Sequence, residues 1–377
     1  MTKSSLMQGN EAIAWGAIYA GANYYAGYPI TPSSEIAEVC SNAMPRCGGV
    51  FMQMEDEIAS MGAIVGASAA GAKAFTATSG PGFTLMQEHI SAAIIMETPV
   101  VVIDVQRQGP SVGLATKPEQ ADIMQLRWGR HGDQALVALI PASVKECFEY
   151  TVQAFNIAEK YRTCVIVAPD EVIGHMRENF VQPELGEIPI INRAKPTCPP
   201  EAYKPHTFEE GAVAPLASFG SEYVFRLTAS MHNEDAYSNA EPGNATARTD
   251  QLYSKLDKNL DDITFTKFFG GEDYDTLIIA VGSALRAART AAVEARAEGR
   301  KVSVLQLITI WPFPTEIVRK YGSKATTVIV PELNKDGQIA GEVGKCLPDS
   351  ITIKRVNRYN GTVLTPEDVT ACIKGGK

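Results

Sequence analysis

The sequence predicts an α/β protein built as a doubly wound domain on a parallel sheet, followed by a smaller, separate α/β domain. Three observations carry this. Over the first 170 residues, short strand-like runs alternate with helix-like ones, the rhythm of βαβ units. From Pro183 to about Asn259 the rhythm gives way to Pro, Gly and polar residues, and at Thr276 it resumes. The expected division is a first domain at 1–190, a connecting arm at 191–270 and a second domain at 271–377. A chain of 377 residues suits two domains, since a domain usually runs to about 100–200 residues.

Taken in order, the Ala- and Ile-rich run from Glu11 to Ala22 predicts a helix, and Asn23 to Gly27 a short strand. Two prolines in Tyr28-Pro29-Ile30-Thr31-Pro32 exclude both helix and central strand there. Ser33 or Ser34 is placed to cap a helix from Glu35 to Ala43. Strands are expected at Val50 to Gln53, Lys73 to Thr78, Val100 to Val105 and Cys164 to Ala168. The last two are apolar enough to be buried on both faces. Helices are expected at Asp56 to Gly71, at Phe83 to Met96 after a Gly80-Pro81-Gly82 turn, and at Val144 to Tyr161. The arm is given one strand, Tyr223 to Leu227. In the second domain, strands at Leu277 to Val281, Val302 to Leu307, Val328 to Val330 and Ile351 to Lys354 alternate with helices at Leu285 to Glu298, Thr315 to Tyr321 and Gln338 to Leu347.

Composition excludes several classes. A formal charge of −9 argues against a general nucleic-acid binder, which needs clustered Lys and Arg. No stretch is long and apolar enough to span a membrane, and no apolar signal core follows Met1-Thr2-Lys3-Ser4-Ser5, so a cytoplasmic protein is expected. The 7 cysteines are dispersed and none forms Cys-x-x-Cys, which speaks for thiols in a reducing compartment and against an iron–sulfur cluster held wholly by this chain. Gly66 to Lys73 approaches a phosphate loop, but its glycines fall on an expected helix, where close packing explains them better.

Three places have the residue types for chemistry. The loop Tyr28 to Pro32 follows the first strand of the sheet, and in open α/β sheets ligands bind at the carboxyl ends of strands. Stiffened by two prolines, it can hold the Thr31 hydroxyl in place, and it reads equally as a plain structural turn. Glu55, Asp56 and Glu57 open a helix. The helix dipole accounts for the first two at about 0.3–1 kcal/mol each. Glu57 leads into small, apolar residues, where a carboxyl would have a raised pKa and could share a proton. Arg107 emerges after the buried strand at Val100, near Thr31, as a bidentate carboxylate binder or as a surface ion pair.

Gly27-Tyr28-Pro29-Ile30-Thr31-Pro32-Ser33-Ser34-Glu35, the Glu57 helix, Thr78-Ser79-Gly80-Pro81-Gly82 and Arg107 together resemble the pyrimidine-domain subunit of 2-oxoacid:ferredoxin oxidoreductases in order and spacing. Asp170 to Met176, Trp311-Pro312-Phe313-Pro314 and Glu332-Leu333-Asn334 with Gly337-Gln338 extend the resemblance over nearly the whole chain. Thr116 to Asp122, with Arg127-Trp128-Gly129 and His131-Gly132-Asp133, looks most like the 2-oxoglutarate members, with an ordinary polar loop as the alternative.

The resemblance implies a pyrimidine-type thiamine diphosphate domain and a transketolase C-terminal-like domain. It implies oxidative decarboxylation of a 2-oxoacid with coenzyme A, or the reverse, with ferredoxin as electron carrier. Glu57 would contact the aminopyrimidine ring and favour the imino form that removes the thiazolium proton; Pro29 would touch the cofactor. Thr31 and Arg107 would bind the keto-carboxylate end. A second carboxylate, as in 2-oxoglutarate, needs a cation of its own, and Lys117, ten residues beyond Arg107, is assigned to it, against an exposed loop lysine. Such cofactors need Mg²⁺ on oxygen ligands, usually marked by Gly-Asp-Gly. Here Gly132-Asp133 runs into Gln134, so Mg²⁺ and the iron–sulfur cluster are expected on a partner β subunit, with further small subunits. The rival readings are the same reaction on pyruvate or a branched-chain 2-oxoacid, and a non-catalytic assembly subunit.

Overall fold

The computed structural model of the chain describes residues 4–375. Met1 to Lys3, where the reading of the N-terminus begins, lie outside the described residues, as do Gly376 and Lys377.

The larger part is a 7-stranded sheet in the order Thr309–Trp311, Val137–Leu139, Cys164–Val167, Val100–Asp104, Ala74–Thr78, Tyr24–Gly27, Val50–Gln53. Thr309–Trp311 runs antiparallel to its neighbour and the rest are parallel. Central strands such as Val100–Asp104 are buried throughout because helices cover both faces. Alternation along the strand sorts their side chains. Val101 and Ile103 meet Ile13, Phe148 and Phe155 of helices Gly9–Tyr19 and Val144–Tyr161. Val100 and Val102 face Met61, Ile64 and Ile90 of helices Glu57–Ala69 and Gln87–Ile95.

The smaller part is a 5-stranded sheet in the order Thr266–Phe269, Val302–Leu307, Thr276–Ala280, Thr327–Glu332, Thr352–Asn357, with the first strand antiparallel. Leu277, Leu305 and Val328 share one apolar core with Val100 and Ile166, so no solvent layer divides the two sheets. The second part also closes the edge of the first sheet with Thr309–Trp311, which covers backbone groups that would otherwise be open to pairing.

The α/β class matches the alternation in the sequence, but the second sheet takes its first strand, Thr266–Phe269, from residues read as part of the arm. Several local expectations change. Gly80-Pro81-Gly82 is the start of a helix, Gly80–Leu85, because Pro81 falls in its first turn where no amide hydrogen is needed. Ser33 does not cap by its side chain; its hydroxyl donates to the Ile30 carbonyl at 2.9 Å. Tyr223 to Leu227 is not a strand, since no ladder partner lies beside it and Val224 is 96% exposed. The arm also holds an unexpected helix, Pro242–Asp257, again with proline in the first turn.

Buried charge seats that arm. The Glu97 carboxylate accepts from Arg248 at 2.9 Å and Lys255 at 2.8 Å and bonds His206 at 2.9 Å, all out of solvent. Arg193 pairs with Glu159 in the same way at 2.6 Å.

Candidate active site

Three consecutive strands of the parallel sheet end in polar residues that converge. Thr31 lies in the loop after Tyr24–Gly27, Thr78 and Ser79 end Ala74–Thr78, and Asp104 ends Val100–Asp104. Thr31 and Pro29 are exposed, whereas Arg107 is 7% exposed and Glu57 5%. The Arg107 guanidinium donates from Nη1 to the Thr31 carbonyl oxygen at 2.7 Å, so the hairpin that carries it is tied to the proline loop. Its Nε is buried without a partner. The Pro32 carbonyl accepts from the Asn10 amide at 2.7 Å, which fixes the other end of the loop.

Glu57 is the first residue of its helix, and Asp56 caps that helix by accepting from the Ala59 amide at 2.7 Å. The Glu57 carboxyl rests on the bare Cα of Gly82: a β-carbon there would stand 2.4 Å from its Oε1 and 2.2 Å from the Thr78 hydroxyl oxygen. That hydroxyl and the Ser79 hydroxyl are buried without partners. Burial raises the Glu57 pKa, its helix N-terminus opposes the rise, and the Asp56 charge adds to it against Arg107. Glu57 is therefore a carboxyl suited to holding a proton beside a heterocyclic nitrogen.

Sequence reasoning missed two further acids. Asp104 is fully buried and its Oδ1 accepts from the Gly80 amide at 3.1 Å; its other oxygen is buried without a hydrogen-bond partner. Burial, with the Asp122 charge behind it, raises Asp104 well above the carboxylate range. Burial and the charge of Glu119 raise Asp122 to about 7. Asp122 and Arg107 line one cavity of about 420 Å³ with Gly80, Pro81 and Pro110. The signal available in the sequence was Asp104 itself, a lone charge closing an apolar strand.

Lys117 sits on the second strand of the hairpin, next to Pro118, which pairs with Arg107. It is exposed, and its stem lies against Gly361 of the second sheet domain, outside the lining of the Arg107 cavity. Thr31, Glu57 and Arg107 are thus brought together, and Lys117 stands to the side.

The remaining motifs join the two sheets. Gln120 donates to the Asp170 carboxylate at 2.8 Å and to the Val281 carbonyl at 3.2 Å, and its carbonyl accepts from Asn334 at 2.9 Å. Asp170 also accepts from the Ser283 amide at 2.7 Å. Gly282 has a φ of +50°, and a β-carbon on it would stand 2.4 Å from Asp170 Oδ2. Among the described residues no group of three or more His, Cys, Asp or Glu side chains could hold a metal ion. No helix among them is long and apolar enough to cross a membrane.

The unpartnered Thr78 and Ser79 hydroxyls and the Gly82 cradle beside a protonatable Glu57 fit an aminopyrimidine ring. Comparison with known proteins agrees. Residues 15–243 match the family described as pyruvate flavodoxin/ferredoxin oxidoreductase, thiamine diphosphate-binding, and residues 274–369 match pyruvate:ferredoxin oxidoreductase core domain II. The chain is 43% identical over 375 residues to a 2-oxoglutarate synthase subunit KorA of Methanocaldococcus jannaschii, covering 99% of this chain and 100% of that one. It is 35% identical, with a TM-score of 0.95, to a solved 2-oxoglutarate:ferredoxin oxidoreductase from Magnetococcus marinus with 2-oxoglutarate, coenzyme A and succinyl-CoA bound. That match covers 99% of this chain and 65% of the longer one. A split-gene transketolase, 14% identical with a TM-score of 0.57 over 99% of this chain and 98% of that one, shares the fold alone.

Proposed function

The chain belongs to the pyruvate flavodoxin/ferredoxin oxidoreductase family, the 2-oxoacid:ferredoxin oxidoreductases, and on that premise we propose that it is the α subunit of a 2-oxoglutarate:ferredoxin oxidoreductase. The reaction converts 2-oxoglutarate and coenzyme A to succinyl-CoA and carbon dioxide, passing two electrons singly to ferredoxin, or runs in reverse. The observation that carries this reading is the meeting of a buried Glu57, its pKa raised by burial, with Arg107 and Thr31 at the carboxyl ends of strands of one parallel sheet.

When bound, thiamine diphosphate supplies the electron sink for cleaving the bond beside the keto group. This chain's own residues prepare it. Glu57 holds a proton at the aminopyrimidine, and the bare Cα of Gly82 leaves room for that carboxyl. Pro29 stiffens the loop and contacts the cofactor. The Arg107 guanidinium, steadied by the Thr31 carbonyl, offers its remaining donors to the substrate carboxylate. The Thr31 hydroxyl takes the keto end. Lys117 extends from the strand paired with that of Arg107 to meet the distal carboxylate.

The relatives are named as subunits, which supports a multi-subunit enzyme. A β subunit would hold Mg²⁺, the cofactor diphosphate and an iron–sulfur cluster, with further small subunits, and the complex would work in the cytoplasm.

The test is anaerobic co-expression with its partner β chain. The complex should reduce ferredoxin only when 2-oxoglutarate, coenzyme A, thiamine diphosphate and Mg²⁺ are all present. Equal or greater activity on pyruvate or 2-oxoisovalerate would overturn the substrate. Unchanged turnover after Glu57→Gln would take Glu57 out of cofactor activation.

A further inference from the structure

Thr31 is held from two sides. Its own carbonyl accepts from Arg107, and the carbonyl of the next residue, Pro32, accepts from the Asn10 amide at 2.7 Å. Only the peptide link from Thr31 to Pro32 lies between the two anchors. Thr31 is exposed, while Pro32 behind it is buried. The backbone is therefore fixed on both sides of a hydroxyl that faces outward to a ligand.

Asn10 is more than a packing residue. It is the second residue of helix Gly9–Tyr19 and is fully buried. Its Nδ2 donates to Pro32 and, at 2.9 Å, to Glu35 Oε2. Both neighbours are acceptors, so turning the amide over would set oxygen against oxygen. Its Oδ1 is left buried without a partner. An apolar side chain would fill the same space without that uncompensated oxygen.

The segment Asp170 to Met176 backs this arrangement. Glu35 Oε1 stands 3.5 Å from His175 Nε2, and His175 Nδ1 is hydrogen-bonded to Glu171 at 2.9 Å. The Gly9 amide donates to the Met176 carbonyl at 3.2 Å. Gly174 lies against Asn10 so closely that a β-carbon on it would be 2.9 Å from Oδ1.

We propose that Asn10, held in register by Glu35, is a positioning residue for the Thr31 hydroxyl: by fixing the Pro32 carbonyl it sets where that hydroxyl meets the keto end of the 2-oxoacid. The inference rests on the functional reading above, which gives Thr31 its part in substrate binding. Without the Asn10 donor, the Pro32 carbonyl is buried and unpaired, and the loop can relieve this only by turning about the Arg107 anchor. Glu57 belongs to a different helix and keeps its place.

A double-mutant cycle in the assembled complex tests this. Asn10→Ala should lower kcat/KM for 2-oxoglutarate about 10- to 100-fold, the scale of a misplaced reacting group. In a Thr31→Val background, where the hydroxyl is already gone, the same change should cost no more than about twofold. Exchange of the thiazolium C2 proton for deuterium, which reports Glu57, should keep its wild-type rate throughout. Glu35→Ala serves as the second variant should Asn10→Ala fail to assemble: it frees the amide and should lower kcat/KM in the same way. Glu35→Gln, whose carbonyl still accepts from Asn10, should restore it. Wild-type kcat/KM in Asn10→Ala and Glu35→Ala, a full loss that persists in the Thr31→Val background, or slowed C2 exchange would overturn the proposal. A harmless Thr31→Val would remove Thr31 from the functional reading and the proposal with it. Activity on another 2-oxoacid alone would sink the substrate in that reading, and the cycle run on that acid would still decide the role of Asn10.

Discussion

Arg107 and Thr31, separated by 76 positions in the chain, are joined where the guanidinium Nη1 donates to the threonine carbonyl oxygen at 2.7 Å. That bond orients the planar fork and leaves its buried Nε without a partner inside the protein. Lysine keeps the charge but cannot hold the loop and bind a carboxylate in the same plane. Arg107→Lys should lower kcat/KM for the 2-oxoacid about 10- to 100-fold, the cost of a charge-assisted hydrogen bond of about 1.5–3 kcal/mol. Steady-state kinetics of the assembled complex check this; a change within about twofold would take Arg107 out of substrate binding.

Glu57→Gln keeps the shape of a side chain that is 5% exposed and removes its proton chemistry. The complex should assemble with an unchanged melting temperature and lose turnover. Near wild-type rates would show that the aminopyrimidine is activated by some other group.

Gly82→Ala tests the same contact from the other side. The new methyl group would stand 2.4 Å from Glu57 Oε1 and 2.2 Å from Thr78 Oγ1, well inside van der Waals contact. Glu57 must then leave its position, so turnover should fall steeply while the far-ultraviolet circular dichroism stays native. Full activity would mean that the carboxyl position is not critical.

Lys117→Met should raise the Michaelis constant for 2-oxoglutarate sharply and leave activity on 2-oxobutyrate, which lacks the distal carboxylate, nearly unchanged. Lys117 is exposed, with its stem against Gly361, so its ammonium must reach into the site from the rim. Equal effects on both substrates, or none on either, would exclude it from the distal contact.

The arm responds to acid through Glu97 and His206. Burial alone would raise Glu97, but the charges of Lys255 and Arg248 and the His206 bond hold it well below the carboxylate range. Burial pushes His206 down to about 3, more than the Glu97 bond raises it. Both folded values lie below the unfolded ones, so the folded state binds fewer protons. Stability is complete above about pH 6.5, declines as His206 would protonate in the unfolded chain, and declines further below about 4.3. Glu97→Gln leaves Arg248 and Lys255 buried without a counter-ion and should cost about 3–5 kcal/mol at neutral pH. It should also flatten the lower part of the acid transition, measured by thermal unfolding at stepped pH.

Much of the sheet could be read directly. Val50–Gln53, Val144–Tyr161 and Val302–Leu307 begin and end where their composition places them, because buried apolar runs and helical periodicity are local properties. The arm was opaque for the opposite reason. Pro242 reads as a breaker until its helix is seen to start there, and the helix is held by Arg248 and Lys255 reaching Glu97, a partner more than a hundred residues away.

The sequence by itself determined the alternation that makes two α/β sheets, and the order of motifs that marks Thr31, Glu57 and Arg107. Only the tertiary structure decided that Asp122 lines one cavity with Arg107 and that Gly82 must lack a side chain. It also decided that Gln120, Asp170 and Asn334 clamp the two sheets together. A side chain's pKa and its steric room depend on which neighbours exclude water from it, and those neighbours come from strands and loops far apart in the chain.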